Sequence, residues 1–208
     1  MKTPLFNYQV ALVDTFNIPS LLATVQSLPH IIKTRIQYQQ QLQNKAVSIQ
    51  GWLLLKLHLE ALNLDADDYL NKIQFNAFGK PMFEQNKSNI YFNIAHAFQK
   101  VVFASTNTQP IGVDIELVSN IDETLIKTYF TNNEIDYVDA AEHRASAFFM
   151  LWTKKEALIK CLGLGLSALD LGDLEVINNQ ITLQHRQYHF YNIDVGNEYI
   201  GHVCVQMV

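Results

Sequence analysis

Residues Ala145–Ser167 read ASAFFMLWTKKEALIKCLGLGLS, and this stretch decides the fold. Successive residues about 100° apart around a helix axis bring Phe148, Trp152, Ile159 and Leu162 onto one apolar stripe, which predicts a helix over Ala145–Leu162. Gly163 and Gly165 are suited to end it. Lys155 falls within the arc of the stripe, and Glu156 falls at its edge, close to Phe149. Charged side chains seldom aim at a core without partners. Either they form structural ion pairs, with each other or with nearby groups, or this edge of the helix faces a polar cleft. Lys160 shares a face with Glu156 four residues away, as an ordinary surface pair also would. Lys154 points roughly opposite and is expected in solvent.

Outward from this helix, short apolar runs predict antiparallel strands at Leu174–Ile177, Gln180–Leu183, Tyr188–Val195 and Tyr199–Val205. Upstream, Tyr91–Ala95 and Val101–Ser105 read as strands joined at Gln99–Lys100, and Ile111–Leu117 follows the break Gln109–Pro110. Asn44–Leu62 carries Val47, Ile49, Trp52, Leu53, Leu57 and Leu59 and predicts a second long helix; Asn63–Asp68 breaks it. The glutamine-rich run Gln37–Gln43 beside it reads as a solvated helix face. Thr131–Val138 predicts a short helix with Thr131 and Glu134 as a capping box, and Ala77–Pro81 a turn. The fold class is α+β, with residues 1–107 and 108–208 as two similar halves, each an antiparallel sheet with a packed long helix.

Of 208 residues, 49% are hydrophobic and 17% charged, which suits a folded core. The net charge of −5 offers no broad field for nucleic acid or an acidic membrane, so an anionic ligand needs a local cluster of bases. Cys161 and Cys204 stand far apart in sequence, outside any zinc or disulfide pattern. The N-terminus lacks the apolar run of a signal peptide, and no stretch is long enough to span a bilayer. The expectation is a cytoplasmic protein.

In GVDIE, Gly112–Glu116, the strand period of two projects Asp114 and Glu116 from one face and Val113, Ile115 and Leu117 from the other. A D-x-E pair on an exposed sheet face is commonplace. With Glu156, however, it makes three oxygen ligands from one strand and one helix, which suits a hard cation such as Mg²⁺. His96 reads as a satisfied histidine or a ligand contact, Lys80 as a turn lysine or a phosphate contact.

Four blocks together resemble the 4′-phosphopantetheinyl transferase family, specifically its larger, pseudo-dimeric type that activates peptide synthetases such as surfactin synthetase. They are FGKP (Phe78–Pro81), FNIAHA (Phe92–Ala97), QPIGVDIE (Gln109–Glu116) and LWTKKEALIKCLGLGLS (Leu151–Ser167). The resemblance implies two α+β halves related by a pseudo-two-fold axis, with coenzyme A as co-substrate in the cleft between them. It implies a metal site of Asp114, Glu116 and Glu156 for Mg²⁺, and coenzyme A contacts from Lys80, His96, Lys155 and Lys160. It further implies upstream cations for the 3′-phosphate, here Lys33, Arg35 and Lys45, and a catalytic glutamate, Glu134, in the stretch Phe130–Glu134. Ala95 stands where the family has a serine, Leu164 where it has a lysine, and a helix arginine has no clear counterpart.

The implied reaction transfers phosphopantetheine to a serine of an apo acyl or peptidyl carrier protein and releases 3′,5′-ADP, with Glu156 as the first choice of base and Lys160 stabilising charge. The protein is expected to act as a monomer, without nucleic acid or membrane. The rivals are a Mg²⁺-dependent nucleotide pyrophosphohydrolase, and a non-catalytic module that binds coenzyme A or a carrier. Leu162, Leu164 and Leu166 read as core, or as apolar contacts for the carrier.

Overall fold

The computed structural model describes residues 6–84 and 89–207. In chain order these residues form β1 (Asn7–Leu12), α1 (Ile18–Thr24), α2 (His30–Gln37), α3 (Leu42–Ala61), α4 (Ala66–Asn71), β2 (Gln74–Phe75), β3 (Pro81–Met82), β4 (Tyr91–Ala97), β5 (Lys100–Thr106) and β6 (Ile111–Leu117). Then come α5 (Glu123–Tyr129), α6 (Asn132–Ala140), α7 (Arg144–Leu162), β7 (Gln180–Leu183), β8 (Arg186–Asn192) and β9 (Tyr199–Gln206). The fold is α+β, and its sheets are antiparallel.

One sheet has the order β1-β5-β4, the other β6-β9-β8-β7, and β2-β3 is a small hairpin. Alternation along the strands separates three apolar clusters. Phe92, Val101 and Phe103 pack against Val47, Leu55 and Leu59 of α3. On the opposite faces, Ala95, Val102 and Ala104 meet Ile111, Val113, Ile115, Val203 and Val205. The far side of the second sheet, with Phe190 and Cys204, packs on Phe148, Leu151 and Leu158 of α7. Each sheet therefore shows one face to the other and one face to its long helix. Asn93 joins the sheets where β4 runs beside β6, its Oδ1 accepting from the Val113 amide at 2.8 Å.

Gly112 explains how closely α7 lies on β6. A Cβ at this position would stand 2.0 Å from the Ala157 carbonyl oxygen and 2.3 Å from the Cys161 nitrogen. Gly163 ends α7 at φ +71°, the left-handed conformation that glycine adopts without a Cβ penalty. The Thr131–Glu134 capping box starts α6.

Several local expectations change. The middle of the glutamine-rich run, Tyr38–Gln41, is the break between α2 and α3 rather than a helix face, and Gln39 bonds the Ser48 hydroxyl. Leu174–Ile177 is not a strand. Its backbone carbonyls turn inward to two lysines of α7, so they are unavailable for a ladder. The strand β1 was not expected from the sequence, and its apolar Tyr8, Val10 and Leu12 are exposed.

Candidate functional site

The strand period sets Gly112, Asp114 and Glu116 toward α7, as expected from GVDIE. Asp114 is 4% exposed, and its Oδ1 accepts from Lys160 Nζ at 2.5 Å. Its other oxygen, Oδ2, is buried without a hydrogen-bond partner. Glu116 is half-buried. Glu156 is half-buried on the same helix edge.

These groups share one electrostatic environment. Burial first, then the Asp114 charge, pushes the Glu116 pKa up to about 7, and Glu156 adds to the rise. Burial raises the Asp114 carboxyl, with Lys160 opposing. Burial and then Asp114 raise Glu156. Burial works against the Lys160 charge, but Asp114, Glu156 and Glu116 together outweigh it and hold its pKa above the ordinary value. One lysine thus faces three carboxylates, an excess of negative charge. His96 projects from β4 on the face that Phe92 and Ile94 also use. Partial burial and then the Lys160 charge lower its pKa, which puts the imidazole within reach of the same field.

Among the described residues, no three acidic, histidine or cysteine side chains converge on a single point as they stand. The donor chemistry nevertheless fits a hard cation: three carboxylates, surplus negative charge, and one buried oxygen with nothing to bind. A buried, unpaired carboxylate oxygen is costly, and a cation would satisfy it.

Other expected site residues go elsewhere. Glu134 and Lys155 are fully buried and paired at 2.8 Å, so the ion-pair reading holds for Lys155, with the nearby Glu134 as its partner. Glu134 also accepts from the amides of Thr131 (2.9 Å) and Val176 (2.8 Å). Lys155 also donates to the carbonyls of Leu171 (2.8 Å) and Leu174. As a catalytic group and a coenzyme A contact these two are corrected, since with every donor and acceptor engaged inside the core they have no route to a substrate.

Lys154 is corrected as well. It is 1% exposed rather than solvated, its ammonium donating to the carbonyls of Val176 (3.1 Å) and Ile177 (3.0 Å). Lys80 sends its ammonium to the carbonyls of Ile111 (2.9 Å), Lys160 (2.5 Å) and Cys161 (3.4 Å), which corrects the free phosphate contact. Lys33 bonds the Gln26 carbonyl, Arg35 lies over the Phe75 ring at 4.0 Å, and Lys45 is half-exposed on α3. Among the described residues, no hydrogen bond or ion pair ties these three to the carboxylates.

Sequence reasoning missed His202. It stands opposite Asp114 in the β6–β9 register and holds Thr153 at 2.8 Å. Only its place in the alternation of Tyr199–Gln206 marks it as facing α7. A cleft of about 260 Å³ lies nearby, lined by Lys80, Phe83, Tyr91, Phe92, Cys161 and Leu162 among others. It flanks the Ile111 end of β6, whereas the carboxylates sit toward the other end.

Residues 110–204 match the family model described as the 4′-phosphopantetheinyl transferase superfamily. The chain is 37% identical over 122 residues to 4′-phosphopantetheinyl transferase gsp of Aneurinibacillus migulanus, covering 57% of this chain and 49% of that protein. It is 37% identical over 91 residues to 4′-phosphopantetheinyl transferase psf-1 of Bacillus pumilus, covering 43% and 38%. With 4′-phosphopantetheinyl transferase Sfp of Bacillus subtilis (strain 168) it shares 35% over 92 residues, covering 43% and 40%. The chain spans about half or less of the length of these curated relatives. The segment that is similar to the 4′-phosphopantetheinyl transferase superfamily, residues 110–204, is the one that holds Asp114, Glu116, Glu156 and Lys160.

Proposed function

We propose that the chain transfers the 4′-phosphopantetheine moiety of coenzyme A to a serine hydroxyl of an apo acyl or peptidyl carrier protein and releases 3′,5′-ADP. The observation that carries this reading is the unpartnered Oδ2 of buried Asp114, set beside Glu116, Glu156 and Lys160 in the segment that matches the superfamily. Asp114, Glu116 and Glu156 are the residues that would hold Mg²⁺, which when bound supplies charge neutralisation at the pyrophosphate.

The chain's own groups have separable tasks. Lys160 places a positive charge, sustained by its carboxylate neighbours, where negative charge grows on the departing phosphate. His96, on the β4 side, offers an N–H to a phosphate oxygen. Glu156 accepts the serine proton directly or through a water that it orients.

The division into residues 1–107 and 108–208 belongs to the same proposal. Support comes from the parallel construction of α3 on β1-β5-β4 and α7 on β6-β9-β8-β7. Among the described residues no helix is long and apolar enough to cross a membrane; we place the reaction in the cytoplasm, carried out by a monomer.

The test is mass spectrometry of purified apo-carriers after incubation with coenzyme A and Mg²⁺. A gain of one phosphopantetheine arm supports transfer. Release of 3′,5′-ADP without a carrier would point instead to hydrolysis. Binding of coenzyme A without turnover on any carrier would leave only a binding module.

A further inference from the structure

We propose that the turn Asn76–Lys80 is a latch that fixes the C-terminal end of α7 against β6 and so sets the position of Lys160. This inference rests on the transferase reading given above. The Asn76 amide and the Lys80 ammonium would then be positioning groups for Lys160.

The last carbonyls of a helix lack intrahelical partners, and a cation is favourable beside them. At the end of α7 these partners arrive from about 80 residues earlier in the chain. Asn76 Nδ2 donates to the Gly163 carbonyl at 2.6 Å. The same side chain builds the turn, its Oδ1 accepting from the amides of Phe78 (3.0 Å) and Lys80 (2.9 Å). Lys80 then bridges the carbonyl of Ile111 on β6 and those of Lys160 and Cys161 on α7. An ammonium has three N–H donors, and each has a carbonyl here.

The packing around the turn agrees. A Cβ on Gly163 would stand 3.0 Å from Asn76 Nδ2, and one on Gly165 would stand 3.1 Å from the Phe78 ring. Lys80 therefore joins the strand that carries Asp114 to the helix residue whose side chain reaches Asp114. Burial also lowers the Lys80 pKa, as expected for an ammonium sunk among carbonyls rather than waiting for a phosphate.

Asn76→Asp tests the latch selectively. It keeps the Oδ1 acceptor that builds the turn, removes the Nδ2 donor, and sets a carboxylate against the negative end of α7. Lys80→Met removes the bridge, and Lys80→Arg restores donors to the helix end. The variants are compared for loading of an apo-carrier with coenzyme A and Mg²⁺, and for amide hydrogen exchange in the last turn of α7. The expected result is a kcat lower by about 10-fold or more in Asn76→Asp and Lys80→Met, with KM for coenzyme A within about twofold, because Lys160 is displaced while the ligand's contacts persist. Exchange at Gly163 and Leu164 should quicken, and Lys80→Arg should recover most of kcat.

A KM raised by about 10-fold with kcat unchanged would make Lys80 a direct phosphate contact and overturn the latch. Unchanged kinetics, with or without faster exchange, would overturn it too. If the wild-type chain loads no carrier, the transferase reading falls and takes the latch's catalytic role with it. Active wild type beside fully active variants sinks the latch alone.

Discussion

Asp114 keeps one oxygen on Lys160 and leaves the other buried and idle, and that asymmetry makes a direct prediction. Millimolar Mg²⁺ should raise the thermal midpoint of the wild-type chain and leave that of Asp114→Ala unmoved, because a ligand bound only by the native state stabilises it by mass action. Differential scanning fluorimetry with and without EDTA reads this without an activity assay. In the carrier assay, Asp114→Ala should abolish transfer while the fold survives. Glu134 and Lys155 make the opposite kind of site, with zero exposure on both partners. Removing either alone strands a buried charge, so Glu134→Ala should cost about 3–5 kcal/mol in urea unfolding. Glu134→Leu combined with Lys155→Met should cost less than the two single changes summed. The sequence let the D-x-E carboxylates be read, because strand alternation alone sets their direction. It did not reveal the lysines' destinations. Lys80, Lys154 and Lys155 all end on backbone carbonyls, and a carbonyl has no side-chain identity to read in advance.

At the scale of elements, two glycines share a pattern but differ in what stands above them. At Gly112 an added methyl group meets the backbone of α7, which can yield only by moving the whole helix. At Gly51 it meets the Ile94 Cγ2 at 2.6 Å, the end of a side chain that can turn aside. Gly112→Ala should therefore destabilise by about 3 kcal/mol or more, and Gly51→Ala by less, by chemical denaturation. The elements themselves were legible in proportion to their own periodicity. The helix α7 shows its stripe and its glycine stop, and β4, β5, β6 and β9 fall where apolar alternation put them. The Leu174–Ile177 segment shows the same apolar run, yet it becomes a loop because Lys154 and Lys155 claim its carbonyls. A tertiary contact decided there, and periodicity carries no trace of it.

Across the whole molecule, His202 and Glu116 contribute to stability against pH with opposite signs. Burial first, then the Lys154 charge, lowers the His202 pKa from 6.5 to about 3. Between those values the unfolded chain binds a proton that the folded chain refuses, so His202 removes stability as pH falls through that range, by about 1.4 kcal/mol per pH unit. Glu116, raised from 4.5 to about 7, has the reverse sign and adds stability as pH falls from 7 to 4.5. Measured by urea midpoints, the wild type should lose ground to His202→Asn between pH 6.5 and 4.5. An equal slope in both proteins would show that His202 is protonated in the native state. The order β6-β9-β8-β7 also has a consequence for biosynthesis. The strand that carries Asp114 has its in-sheet neighbour in β9, roughly 90 residues further along, which at about 5–20 residues per second takes on the order of 10 s to emerge from the ribosome. During that interval the acidic strand waits with an open edge, so the nascent chain is most exposed to chaperones, and to mispairing with its neighbours on a polysome, just before its working centre can close.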